Sequence, residues 1–327
     1  MRTTGGIDRR RLLGAGVAGA ALAPGLAFAA ARDALAGARY RLQPREVVAG
    51  IWLVEGERAD FSVANGGNMV NCVFMTTGEG VIVFDTGATR LYGLELHAVI
   101  EAVTLEPVIE VWISHGHPDH FLGSQAFPGA RLRALSGTVT MMREVGADLT
   151  ENMYRLIDHW MRGTEMVVPA PDLAPGSYTV GRRRLQVMAM AGHTAEDLVV
   201  LDESTGTLLS GDLVFMDRAP ATPHADLAAW QASLDRLEAL GADQLVPGHG
   251  PYTFGATAIS QTRDYLGWLD ETFSRAAEAG LAAAEVALTP MPEAFGRIAV
   301  LPGEFVRSVS HLYAGYELAA MARIDGG

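Results

Sequence analysis

Three imidazoles and a carboxylate fall within six residues, at His115, His117, Asp119 and His120, directly after the short apolar run 109–113. So many polar side chains on one turn would be costly to bury as core and have no purpose as surface. They suit a cation, because imidazole nitrogen and carboxylate oxygen are the donors that zinc and its neighbours accept. Gly116 and Pro118 between them bend the loop so that alternate side chains turn inward. Any fold for this chain must therefore put the end of a buried strand beside further donors.

Three such donors occur downstream, each beside a glycine and after an apolar run: Gly192-His193, Gly211-Asp212 and Pro247-Gly248-His249-Gly250. Glycine lets the backbone pass close to a crowded centre. Singly, each histidine or aspartate could be an ordinary structural residue. With the first cluster they make five histidines and two aspartates, about right for two metal ions plus bridging groups. Closed structural zinc sites are usually tetrahedra rich in Cys, and this chain has one cysteine. Cys72 alternates with Val70 and Phe74 on the apolar side of a strand pattern, as a core thiol does.

The rest of the chain reads as strands interleaved with helices in two similar halves, which predicts a layered α/β protein. Strands are expected over 47–54 and 69–84, the latter broken by a hairpin at Gly78-Glu79-Gly80. A helix follows over 91–103, then the strand into the His115 loop and a helix start over 121–127. Residues 136–165 alternate helical and loop character. Further strands are expected over 185–190, 198–201, 207–210 and 244–246. Asp226 is placed to cap a helix over 227–240 closed by Gly241, and the pattern from Thr257 onward is helical apart from Pro290-Met291-Pro292.

Residues 1–29 read as a targeting segment. Paired arginines in Asp8-Arg9-Arg10-Arg11 precede an uncharged run over 14–28 and the small-residue pattern Ala27-Phe28-Ala29, which points to the twin-arginine route and a periplasmic protein. The run is too short to span a bilayer, so no membrane span is expected after its removal. It carries four arginines against Asp8, so its loss would take the net charge from −13 to −16. That charge argues against nucleic-acid partners, whose phosphates need a basic surface. Residues 30–46 then form a polar linker, 47–256 the metal-binding domain, and 257–327 a C-terminal helical segment packed on the same domain.

With these ligands in this order, the stretch 47–251 resembles the metallo-β-lactamase superfamily, including Phe84-Asp85-Thr86-Gly87 ahead of the metal loop. The resemblance implies a four-layer αβ/βα sandwich with the metals in the cleft between its sheets. It implies that His115, His117 and His193 hold the first metal, that Asp119, His120 and His249 hold the second, and that Asp212 bridges them. Zinc is the first expectation, with iron and manganese open to the same donors. Asp119 would then be catalytic as well as ligating, with a metal-bridging hydroxide attacking a carbonyl of an ester, lactone or thioester. Asp85 reads as support for the metal loop or as a plain strand-ending aspartate.

An aspartate at position 212 resembles the glyoxalase-II type of site, whereas true β-lactamases place Cys or Ser there. Within the superfamily the chain is most similar to the exported quinoprotein relay system zinc metallohydrolases. The matching stretches are Asn65-Gly66-Gly67-Asn68, Trp160-Met161-Arg162-Gly163-Thr164-Glu165, and Asp212-Leu213-Val214-Phe215 leading to Arg218-Ala219-Pro220-Ala221-Thr222-Pro223-His224. That resemblance implies a small-molecule substrate and a functional link to a quinoprotein system. His224, Trp160 and Arg162 are candidate substrate contacts, with packing or turn roles the alternative. The competing functions are a β-lactam hydrolase, a metal-binding accessory protein without turnover, and an iron-based oxidoreductase. His97 and His311 read as structural.

Overall fold

The structure is a computed structural model that describes residues 39–325; the expected targeting segment, and the first part of the linker, lie outside the described residues. Among the described residues, twelve strands form two sheets of six. The first sheet runs in chain order through β1 (Pro44–Val48), β2 (Ile51–Val54), β3 (Cys72–Thr76), β4 (Val81–Phe84), β5 (Val108–Ile113) and β6 (Arg131–Ala134). The second contains β7 (Gly176–Val180), β8 (Arg183–Met190), β9 (Asp197–Asp202), β10 (Thr207–Leu209), β11 (Gln244–Val246) and β12 (Thr253–Phe254), again in sequence. Antiparallel pairs open each sheet, and parallel pairs β4–β5, β5–β6 and β10–β11 follow.

Alternation along the strands decides what each face covers, because successive side chains point to opposite sides. Leu53, Val73, Met75, Ile82 and Phe84 of the first sheet meet Leu185, Val187, Leu198, Val200 and Leu209 of the second in one core. The intervening residues Val199 and Leu208 turn to the far face. There they pack with Trp230, Leu234, Tyr265, Leu269 and Phe305, carried on helices Leu227–Ala239, Thr257–Glu278 and Gly303–Asp325. The C-terminal helices thus pack against the far face of the second sheet. The other long helices are α1 (Arg90–Val103) and α2 (Ser136–Ile157); the three just named are α3, α4 and α5. The arrangement is a mixed α/β sandwich of two sheets and flanking helices, as the sequence predicts.

Local differences from that prediction have tertiary causes. The helix expected over 121–127 is only a turn, Pro118–Phe121, followed by a second short turn at Ser124–Ala126. Residues 136–157, read as mixed, form one helix of 22 residues with no side-chain cap at Leu135. Strands β6 and β7 were not expected, since Arg131-Leu132-Arg133 looks too polar. Arg133 is nonetheless buried, because Asp172 receives its Nε at 2.9 Å and Glu110 meets its Nη1 at 3.2 Å. The stretch read as polar linker ends early: Tyr40 and Leu42 are buried, and β1 already begins at Pro44. Tyr40 donates to the Gly66 carbonyl at 2.8 Å and packs on Tyr92 and Trp160. Asp226 caps α3 as expected, accepting from the Ala229 amide at 2.9 Å. No helix among the described residues is long and apolar enough to cross a membrane.

Candidate metal centre

The seven expected donors all lie just beyond the C-terminal ends of strands. His115, His117, Asp119 and His120 follow β5, His193 follows β8, Asp212 follows β10 and His249 follows β11. Their donor atoms fall into two groups, His115, His117, His193 and Asp212 in one and Asp119, His120 and His249 in the other. Within each group the atoms lie within 4.8 Å of one another, and all seven residues are buried.

The distances have the form of coordination spheres. His117 Nδ1 is 2.8 Å from both His115 Nε2 and His193 Nε2. Asp212 Oδ2 stands 3.3 Å from His193 Nε2 and 3.3 Å from His249 Nε2, while its Oδ1 is 3.2 Å from His120 Nε2. This one carboxylate therefore faces both groups. Asp119 Oδ2 faces His249 Nε2 at 3.4 Å and His120 Nε2 at 3.7 Å. His120 Nε2 and Asp212 Oδ1 are fully buried, yet neither makes a hydrogen bond of proper geometry. Buried polar atoms without partners are rare, and these two point into the space a cation would fill. The donor set fits metal ions, and the two groups fit a pair of them.

Backbone geometry lets the loops converge. His117 precedes the Pro118–Phe121 turn, which swings Asp119 and His120 back toward the strand ends. The His120 carbonyl accepts from the Thr86 amide at 2.8 Å, tying this turn to the end of β4. Gly248 is required beside Asp212, because a Cβ there would lie 1.9 Å from Asp212 Oδ1. Gly250 combines φ +90° with a carbonyl of Met216 only 1.7 Å from where a Cβ would sit.

Outer partners fix the rings. Asp85, fully buried just after β4, puts Oδ2 2.8 Å from His120 Nδ1 and accepts the Ser114 amide on Oδ1 at 2.8 Å. Ser114 Oγ sits between His115 Nδ1 (3.0 Å) and His120 Nδ1 (3.1 Å). His249 Nδ1 donates to the Met69 carbonyl at 2.9 Å. Such contacts fix the tautomer and orientation of a ligating ring. Asn71 joins the two halves at the same place, with Nδ2 donating to the carbonyls of Pro247 (2.9 Å) and Gly250 (2.7 Å). Sequence reasoning missed Ser114 and Asn71; the usable signal was a lone amide inside the apolar stretch 69–84.

Protonation is set by this crowding. Burial foremost, then neighbouring imidazoles, keeps His115 and His117 well below the ordinary histidine range, and burial brings His193 down to about 4. Neutral imidazole is the form that binds metal. Burial opposes ionisation of Asp119, but His120 and His249 hold it below the usual carboxylate range; at Asp212, His249, His120 and His193 do the same. Burial likewise opposes protonation of His120 and His249, yet Asp212 raises both. An arriving cation would displace those protons.

A cavity of about 370 Å³ opens onto the centre and reaches His117, Asp119, Asp212 and His249. Trp160 does not line it; its Nε1 donates to the Val63 carbonyl at 2.9 Å and its ring packs on Tyr40. Arg162 is exposed and also outside the lining. His224 is exposed at the edge, with Nδ1 2.9 Å from His117 Nε2, so it touches a metal-ligand candidate directly. His311, read as structural, lines the cavity from α5. His97 packs on Phe127 and faces Glu101 within α1.

Known proteins are similar to this chain in sequence and fold. A linear primary-alkylsulfatase from a Pseudomonas species is 24% identical over 284 aligned residues, covering 73% of this chain and 54% of the relative. A β-lactamase-like protein 2 homolog from Caenorhabditis elegans is 26% identical over 183 residues, 55% of this chain and 56% of the relative. The chain thus spans about half the length of the curated relatives it matches. Among solved structures, a metallo-β-lactamase from Pontibacter korlensis superposes with TM-score 0.58 at 23% identity, covering 69% of this chain and 99% of that one. A stereoselective inverting sec-alkylsulfatase from a Pseudomonas species gives 0.66 at 18%, covering 84% and 50%. Identities this low show a shared fold and nothing finer. The family profile matches residues 65–249, from the Asn65 turn to the last histidine of the metal centre, and the chain belongs to the metallo-β-lactamase superfamily.

Proposed function

We propose that the protein is an exported, dinuclear metal-dependent hydrolase that attacks a carbonyl in an ester, lactone or thioester. The observation that carries this reading is Asp212, whose carboxylate faces both donor groups, Oδ2 standing against His193 and His249 and Oδ1 against His120. His115, His117 and His193 would hold one ion, Asp119, His120 and His249 the other, with Asp212 between them. Two divalent ions, zinc foremost, supply Lewis acidity there, activating water and polarising the scissile group.

The chain's own residues do the remaining work. Asp119 both faces His120 and His249 through Oδ2 and lines the cavity, so it stands where it can orient the attacking water and take its proton. A new bond from water oxygen to the carbonyl carbon forms as the bond to the leaving oxygen or sulfur breaks. The proton held at Asp119 is then available to the departing group. Met69, Phe61 and Met153 line the approach.

A second reading, hydrolysis of a sulfate ester, is favoured by the likeness to an alkylsulfatase; it differs in the bond that breaks. β-Lactam hydrolysis is a further arm of the same test. The leader over 1–29 supports export to the periplasm, and the matching stretches around Trp160 and Arg218 support a link to a quinoprotein system. The test is elemental analysis of protein taken from its native compartment, followed by an ester, lactone, thioester, sulfate-ester and β-lactam panel on the same sample. The reading expects two metal equivalents and turnover that Asp119→Ala abolishes. Full metal loading without turnover on any substrate would favour an accessory role instead, and mostly iron with oxygen consumption an oxidoreductase.

A further inference from the structure

A ligating imidazole is ordinarily held from behind, its second nitrogen bonded to a partner that fixes tautomer and orientation. Four of the five candidate ligand rings follow that rule. Ser114 Oγ stands 3.0 Å from His115 Nδ1, His224 Nδ1 2.9 Å from His117 Nε2, Asp85 Oδ2 2.8 Å from His120 Nδ1 and the Met69 carbonyl 2.9 Å from His249 Nδ1. His193 does not. Its Nε2 faces His117 and Asp212, while its buried Nδ1 makes no hydrogen bond among the described residues. Buried polar atoms in that position are rare, and a ring without such a bond is aimed by what it packs against.

Beyond its fellow ligands, the His193 ring meets Phe215 at 5.8 Å and Trp230 at 5.1 Å between centroids. Phe215 is shared, because it also stacks on His249. Trp230, fully buried on α3, meets His193 edge to face at 68°. Such contacts are directional, since the edge and face of an aromatic ring carry opposite partial charge. The same residue governs the backbone of the first donor group. A Cβ at Gly192 would lie 2.3 Å from Trp230 Cα, so the chain entering His193 runs directly against α3. The indole Nε1 donates to the Leu213 carbonyl at 2.8 Å, which holds the turn carrying Asp212. The Asp226 amide and the Ser233 hydroxyl donate to the carbonyls of Gly192 (2.9 Å) and Ala191 (2.6 Å), mooring the loop without touching the His193 ring. Trp230 itself lies outside the cavity lining. We propose that Trp230 is a positioning residue for the first metal, its indole supplying to His193 the orientation that the other ligand rings take from hydrogen bonds. This deepens the hydrolase reading and rests on its metal pair, not on its substrate.

The test is zinc titration of the metal-free full chain carrying Trp230→Phe or Trp230→Leu, against a chromophoric chelator. Both variants lack the indole N–H, so the difference between them reads the ring alone. The first-site equivalent is the one left untouched by substitution of Asp85, whose carboxylate serves His120. It is expected to bind about tenfold more tightly in Trp230→Phe than in Trp230→Leu, the low end of what an outer partner contributes, with the other equivalent within about threefold. A residue that only filled the core would move both equivalents together or neither, and either result overturns the proposal. The unaltered zinc-loaded chain gives a second readout that needs no variant to fold. In proton NMR with isotope-labelled histidine, the His193 Nδ1 proton should lie upfield of the outer N–H protons of the other ligand rings and show a cross-peak to the Trp230 indole. A downfield, hydrogen-bonded His193 proton would overturn the proposal. Selective weakening of the first equivalent with no turnover on any substrate would leave the role of Trp230 standing while removing the hydrolase reading. Equal zinc affinities in the two variants, in a chain that turns over an ester, would do the reverse.

Discussion

Asp85→Asn separates the two metal sites. Asp85 is fully buried, takes φ +62°, and spends both oxygens on the metal loop, one at His120 Nδ1 and one at the Ser114 amide. Asparagine tolerates this left-handed backbone better than other residues, so the substitution keeps the turn. It also keeps an oxygen for Ser114 but replaces the carboxylate facing His120 with a neutral amide. Losing such a partner typically costs ~10- to 100-fold in metal affinity, or about 1.4–2.8 kcal/mol. The loss should fall on the ion held by Asp119, His120 and His249. His115, His117 and His193 make no hydrogen bond to Asp85; His115 is linked to it through Ser114 and through its ring contact with His120, centroids 4.2 Å apart. Zinc titration of the metal-free variant against a chromophoric chelator should thus show one equivalent weakened by that factor and the other within about threefold. Unchanged affinity for both equivalents would refute the positioning role of Asp85. An equal loss for both would refute the division into two sites.

Other perturbations have comparably specific outcomes. His224→Ala removes the contact at His117 Nε2 and should give the mirror image of Asp85→Asn, weakening the other equivalent by about tenfold, read in the same titration. Chelation should lower the melting temperature by about 10 °C if the ions are present at roughly a thousand times their Kd, with zinc restoring it in a thermal shift assay. Arg183→Met leaves Asp202 buried without its partner and should cost about 3–5 kcal/mol in urea unfolding of the metal-loaded protein, with metal stoichiometry unchanged.

What could be read from the chain followed how local the cause was. The His115 loop is legible because four donors lie within one turn and its apolar lead-in is a strand. His193, Asp212 and His249 are legible for a related reason, since each stands beside a glycine that close packing demands, Gly192 against Trp230, Gly211 at φ +51° and Gly248 against Asp212. Asp226 announces α3 through the ordinary chemistry of capping. Strand β6 stayed hidden because Arg133 becomes a core residue only once Asp172 and Glu110 arrive from elsewhere. Helix α2 stayed hidden because Leu135 offers no cap and Gly137 and Gly146 interrupt the pattern. Tyr40 looked like linker because its partners, Gly66 and Thr89, lie 26 and 49 residues away.

The division of donors between the halves would make a bound metal pair a clasp as well as the proposed reaction centre. Each group takes members from both: His115 and His117 with His193 and Asp212, and Asp119 and His120 with His249. Without ions the halves are still joined by the apolar core between the sheets, by Asn71 on the Pro247 and Gly250 carbonyls, and by Arg183 on the carbonyls of Thr76 and Ala49. The two polar ties are placed differently. Asn71 holds the His249 loop itself, whereas Arg183 ties the first sheet to the second through β8, which it opens. Loss of metal should therefore loosen the ligand loops before the sandwich, and the His249 loop least of all because Asn71 holds it independently. The last donor is then in place when the others close around a cation, so the second site forms on a partly built frame. Binding energy that would otherwise order this loop goes into the metal's affinity.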